Sequence, residues 1–126
     1  MASVNAVILA GNLTRDVEVR HTPQGTAVAK LGLAVNESYR TKDGEKKEDV
    51  CFIDVDVWDR QAETCGQYLA KGSPVLVEGA LKLDTWIDRE TGQKRHKHKI
   101  RARRVTFLSG RREPTAPDEG DELPDY

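Results

Sequence analysis

Phe52, Asp54, Asp56 and Trp58 alternate along the stretch VCFIDVDVW, residues 50 to 58, and an extended strand sends all four to one face. Two kinds of chemistry are open to such a set. Carboxylates two residues apart on a strand can share a divalent ion, which together with Asp59 would outline the metal site of a nuclease. Rings on a face that also holds carboxylates meet water. Rings so placed either cover a sheet margin or subunit contact, or form a platform on which flat ligands such as nucleobases stack. No further element supplies a catalytic base beside the carboxylates, and acidic residues alternating along a strand are ordinarily solvated. The sequence therefore speaks against an enzyme. The opposite face of the stretch, Cys51, Ile53, Val55 and Val57, is apolar and predicts a core.

The elements that would hold this platform follow from pattern. Val4 to Leu13 has apolar residues at both parities, the mark of a strand covered on both faces, and part of it should meet something besides its own barrel, such as another subunit. Thr22-Pro23-Gln24-Gly25 is a turn. Val28 to Tyr39 alternates, with Ala29, Leu31, Leu33 and Val35 inward and Lys30, Gly32, Ala34, Asn36 and Ser38 outward. Small residues in the middle of that outer face would let a flat ligand approach the backbone. A long charged hairpin around Asp43-Gly44 leads into the Val50 to Trp58 strand. Asp59 is placed to cap a helix from Arg60 to Lys71, whose stripe of Ala62, Cys65, Tyr68 and Leu69 suits the plug of a barrel, with Gly72 as its stop.

Pro74 to Trp86 is the fourth strand, with Val75, Val77, Leu81 and Leu83 inward, Trp86 outward among polar neighbours, and a bend at Gly79. The fifth, Arg95 to Leu108, puts Arg95, Lys97, Lys99, Arg101 and Arg103 on one parity and returns to the core through a bulge near Arg103-Arg104. Five strands with a helix between the third and fourth is the order of an OB-fold. The predicted class is all-β with one short helix: a five-stranded Greek-key barrel over residues 1 to 109, followed by a disordered acidic tail over 110 to 126.

Charge divides the chain in the same way. All 20 basic residues lie at or before Arg112, whereas six of the 21 acidic residues lie after it. A cationic body with an anionic tail is an asymmetry associated with nucleic-acid proteins. Cys51 and Cys65 read as small buried hydrophobes rather than a disulfide or a zinc pair. His21, His96 and His98 are too scattered for a metal site, and no cofactor is implied. The apolar run Val7 to Ala10 is too short for a signal peptide or a membrane span, so a cytoplasmic protein is expected.

Three segments carry a closer likeness: NAVILAGNLTRDVEVRHTPQGTAVAKLGLAVNESYRTKDGE, ETCGQYLAKGSPVLVEGALKLDTW and the end EGDELPDY. Over residues 4 to 108 and the last few positions the chain resembles a bacterial single-stranded DNA-binding protein of the replication type. The resemblance implies a nucleoid-associated homotetramer that wraps single-stranded DNA during replication, recombination and repair without performing chemistry on it. Carried over by position, stacking aromatics fall on Tyr39, Phe52, Trp58 and Trp86. Phosphate-contacting cations fall on Arg20, Lys42, Arg60, Lys71 and Arg95, and Lys97 joins them from the charged strand. Tyr39 rests on the resemblance alone, since its parity points to the core side unless the strand bulges.

The same resemblance makes the strand Asn5 to Leu9, with Asn5, Val7 and Leu9, the subunit contact. It also makes Asp121, Glu122, Leu123, Pro124, Asp125 and Tyr126 the tip that recruits replication and repair proteins. Two places depart from the family pattern. Asp54 and Asp56 stand where the family often has basic or neutral residues, and a carboxylate repels phosphate. Asp125 separates the proline from a terminal tyrosine where the family has phenylalanine. The linker 110 to 117, a flexible chain of about eight residues, would span roughly 15 Å. An OB-fold RNA-binding or primosome-type adaptor would use the same rings and cations.

Overall fold

A computed structural model describes residues 1 to 108. The elements run β1 (Val7–Leu13), β2 (Val19–His21), β3 (Ala27–Arg40), β4 (Lys46–Trp58), α1 (Asp59–Tyr68), β5 (Pro74–Ile87) and β6 (Lys94–Phe107). The five expected strands and the helix between the third and fourth are present. β2 is an addition of three residues, too short to leave an alternating pattern. Strand order is β1-β5-β6-β4-β3-β2, and pairing of Asn12 and Leu13 with Ala34 and Leu33 joins β1 back to β3. That contact, with a short parallel pairing of β4 on β6 at Val55–Ile100 and Asp56–Arg101, closes the barrel and leaves the OB-fold order expected of the sequence.

The interior is aliphatic. Leu31, Leu33, Val55, Val57, Val75, Val77 and Ile100 are buried, and α1 adds Ala62 and Cys65 at one end. Burial pushes the Cys65 thiol up to about 11, so it stays a neutral core side chain. A bulge in the β5–β6 pairing, where Glu78 faces Arg104 but Gly79 faces Ala102, leaves Arg103 as the extra residue. This is the bulge expected near Arg103-Arg104. Gln61 of α1 satisfies the backbone it frees, donating to the Arg103 carbonyl at 3.0 Å and accepting from the Val105 N–H at 2.8 Å. Gly79 is needed at the same point, because a Cβ there would collide with the Arg101 carbonyl.

Several expectations are corrected. Cys51, Leu81 and Leu83 lie on the predicted parity but are exposed. β3–β4 and β5–β6 continue as two-stranded arms past the end of the barrel, and among the described residues no second layer covers them. The helix ends at Tyr68 rather than Lys71, with the Leu69 N–H bonded to the Cys65 carbonyl at 2.9 Å. The Lys71 N–H is taken by Asp16 Oδ1 at 2.8 Å. Tyr68, expected in the plug, is 62% exposed and lies beside Phe107, ring centroids 6.4 Å apart. Asp59 makes no capping bond. It sits at φ 61°, turning the chain sharply from β4 into α1, so its side chain is not placed to accept from the first turn. In β1, Val7 and Leu9 pack toward the core, whereas Ile8 is 68% exposed and Ala10 also faces out. The Asn5 amide is engaged within the protomer, bonding both the Leu81 N–H and the Leu81 carbonyl, at 2.8 and 2.9 Å.

Candidate nucleic-acid interface

β4 is the spine of the site. Its pairing with β3 runs without a register shift from Val28–Trp58 to Arg40–Lys46, so cross-strand partners share a face. The outer face of β4, Phe52, Asp54, Asp56 and Trp58, is therefore flanked by Ala34, Gly32, Lys30 and Val28 of β3. On the other side β6 reaches the same row. Lys97 Nζ lies 2.9 Å from Asp54 Oδ2, and Lys99 Nζ lies 2.6 Å from Asp56 Oδ2 and 3.3 Å from Asp84 Oδ2 of β5. Trp86 pairs with Arg95, one position beyond Asp84–Lys97 on the same face of the β5–β6 arm.

Adjoining hollows join these residues into a groove. One is lined by Arg15, Gly32, Phe52, Asp54 and Lys97, and a second by Trp86, Asp84, Lys99, Lys97, Asp54 and Lys30. A third continues past Asp56, Lys30 and Val28 to Arg20. Phe52 is 70% exposed and Trp86 46% exposed. Trp58 is half-buried, its ring covered by the Arg101 guanidinium carbon at 5.2 Å from the centroid. A base can meet it only on the remaining surface or by displacing that cation. Its Nε1 is buried and has no hydrogen-bond partner among the described residues.

The other expected residues are spread around this groove. Arg20 pairs with Val28 across β2–β3, on the same face as Trp58, and holds Glu18 at 3.3 Å. Arg95 Nε contacts Asp88 Oδ2 at 3.2 Å beside Trp86. Lys42 is exposed in the tip of the β3–β4 arm, Arg60 in the first turn of α1, and Lys71 just beyond the helix. Tyr39 is 48% exposed, but with no bulge in β3–β4 it stands on the face opposite Phe52, across from Lys47. The tip residues Asp121 to Tyr126, and the domain boundary after residue 109, lie outside the described residues.

Arg15 was not legible as a site residue. The small outer face at Gly32, expected to admit a flat ligand, instead holds the Arg15 side chain, which a Cβ at Gly32 would strike along with Thr14. From there Arg15 Nη2 reaches Asp54 Oδ1 at 3.3 Å. Partial burial works against ionisation of Asp54, but the hydrogen bonds and charges of Lys97 and Arg15 outweigh it and hold the carboxyl below its ordinary value. The hydrogen bond that Lys99 donates to Asp56 is the main influence holding the ammonium above its ordinary value. Burial opposes it, and Asp84 and the Asp56 charge add to it. Two of the three carboxylates named for the nuclease reading, Asp54 and Asp56, are thus engaged by cations. Among the described residues no group of three His, Cys, Asp or Glu side chains could hold a metal ion, and no helix is long and apolar enough to cross a membrane.

Comparison with known proteins bears on the same residues. Residues 4–108 match the model of the Single-strand binding protein family. A single-stranded DNA-binding protein of Wolinella succinogenes is 45% identical over 122 residues, covering 97% of this chain and 75% of its own length. That of Helicobacter hepaticus is 47% identical over 120 residues, 95% of this chain and 66% of its own. Among solved structures, a deletion mutant of the Thermus aquaticus single-stranded DNA-binding protein superposes with a TM-score of 0.75 at 34% identity, covering 86% of this chain and 52% of that one. A Plasmodium falciparum SSB in complex with single-stranded DNA superposes with a TM-score of 0.78 at 25% identity, covering 86% of this chain and 97% of that one.

Proposed function

Since this chain belongs to the single-strand binding protein family, we propose that it binds and protects single-stranded DNA without regard to sequence, bases stacking on Phe52, Trp86 and the open part of Trp58. The observation that carries the reading is the groove itself: three rings on one face of β4 and β5, interleaved with cations from three strands. Every base has a π-face, so stacking of about 1 to 3 kcal/mol per base is indifferent to sequence. Phosphates engage Arg95 and Lys97 beside Trp86 and Arg20 beyond Trp58. Each contact steepens the fall of log affinity with log salt by roughly 0.7. A strand that continues round the molecule meets Lys42 and Tyr39 on the β3–β4 arm and Arg60 and Lys71 at the helix. Duplex DNA keeps its base faces hidden and is left to phosphate contacts alone.

The assembly belongs to the same proposal. Tetramers form through Asn5 and β1, where Val7 and Leu9 share the strand with the exposed Ile8. The acidic tip, Asp121 to Tyr126, recruits replication and repair proteins in the cytoplasm. Truncation after Arg112 then leaves DNA affinity equal or higher while partner recruitment is lost.

Tryptophan fluorescence titrated with oligo(dT), a matching duplex and oligo(U) across salt concentrations tests the reading. Strong quenching by oligo(dT), a weak response to duplex and a steep salt dependence are expected. A preference for oligo(U) would favour an RNA adaptor instead, and hydrolysis of the oligonucleotide with magnesium would favour a nuclease.

A further inference from the structure

The floor of the groove between the rings carries three carboxylates, Asp54, Asp56 and Asp84, among its cations. Lys99 is bracketed by Asp56 at 2.6 Å and Asp84 at 3.3 Å, and its side chain is only 21% exposed. A phosphate oxygen brought to that ammonium would sit within a few ångströms of two carboxylates. Lys97 differs. Its side chain is 57% exposed and has one acidic partner, Asp54 at 2.9 Å, so its head can swing outward to a phosphate while Arg15 keeps Asp54 neutralised at 3.3 Å. Lys30 of β3 lines the same hollow. Along the floor Lys99 is thus already answered by carboxylates, whereas Lys97, Arg95 and Arg20, each with one acidic partner and a side chain more than half exposed, are open enough to turn to phosphate.

We propose that Asp54 and Asp56 are specificity determinants: they fill the anion positions of the groove floor, so that an entering strand lays its neutral bases on the floor and keeps its phosphates at the rim. The inference rests on the stacking function proposed above and adds to it the rejection of ligands that offer phosphate without bases. Without the two carboxylates, Lys97, Lys99 and Arg15 would form a phosphate-binding strip down the centre of the face. Any polyphosphate chain could occupy it, and a single strand could bind with its backbone inward. Phe52 and Trp86 would then lose their partners.

The test compares oligo(dT) with an abasic oligonucleotide of the same length, a deoxyribose-phosphate chain without bases, on the intact chain and on a D54N/D56N variant. Removing two carboxylates from beside a bound phosphate is expected to raise abasic affinity about tenfold at moderate salt, from Coulomb energies at an effective dielectric between protein and water. Oligo(dT), whose phosphates lie farther from the floor and are partly screened, should gain only about two- to threefold. The ratio of the two affinities therefore falls. Because Asp56 is 7% exposed and its replacement could disturb folding, D54N alone serves as the second variant, with a smaller shift in the same direction. Equal gains for both ligands, or no gain for the abasic chain, would overturn the inference while leaving the stacking function intact. Failure of the unmodified chain to bind oligo(dT) would instead strike at that function.

Discussion

Replacing Phe52 by alanine should separate binding from folding. The ring is 70% exposed, so truncation gives up roughly a third of the burial a core phenylalanine would have, about 0.5 to 1 kcal/mol of stability. It leaves no cavity, because the ring stands over the Asp54 and Gly32 row and not within the aliphatic interior. If the ring stacks on a base, its loss costs about 1 to 3 kcal/mol of binding, a fall of roughly 5- to 150-fold in oligo(dT) affinity. Val55→Ala provides the mirror image. That side chain is fully buried next to Ile100, and its truncation should cost about 2 kcal/mol of stability with little change in affinity for the folded fraction. Oligo(dT) titrations and urea melts on both variants check this. A Phe52→Ala protein that binds like the parent, or that loses stability to the extent Val55→Ala does, would refute the placement of the ring as a stacking surface.

Other outcomes follow from the same structure. Gln61→Leu leaves the Arg103 carbonyl and Val105 N–H at the β6 bulge without their partner and should cost about 1 to 3 kcal/mol in a urea melt. Asp59→Gly relieves a left-handed conformation at φ 61° in an exposed turn that makes no capping bond. A rise in stability of about 0.5 to 1 kcal/mol is expected by thermal melting, and Asp59→Ala should lower it. Because the folded pKa of Asp54 lies below 3.8, its ion pairs contribute stability above that pH and lose it as pH falls through the folded value. The stability difference between the parent and D54N, less than about 1 kcal/mol for pairs this open to solvent, should therefore be constant at neutral pH and disappear as pH falls below the ordinary carboxylate range and through the lower folded value.

Much of this architecture was legible because alternation survives in every long strand. Phe52, Trp58 and Trp86 could be picked out as rings among charges, and Arg95, Lys97, Lys99 and Arg101 do face the same way. What parity could not tell was where the barrel stops. Cys51, Leu81 and Leu83 obey the inward pattern on arms that have outrun their core, and the pattern is identical whether or not a second layer lies beneath. Trp58 reads like Phe52 in sequence. Part of its cover comes from Arg101 on the neighbouring strand β6, distant in sequence and so without a local signal. Arg15 lies in an irregular stretch between β1 and β2. Its only trace was the missing side chain at Gly32, which is as consistent with a bound ligand as with a neighbouring arginine. Asp59 had the residue type of a helix cap and the backbone of a tight turn, and the turn prevailed because β4 enters α1 without a linker.

The most direct measurement is photo-cross-linking of an oligonucleotide carrying 5-bromodeoxyuridine, with the attached residues mapped by mass spectrometry. Adducts at Phe52, Trp86 and Trp58, competed away by oligo(dT) but not by duplex, are the result expected of a strand stacked along the outer face of β4. Adducts confined to exposed apolar residues elsewhere, such as Tyr68 at the helix end or Ile8 on β1, would contradict it.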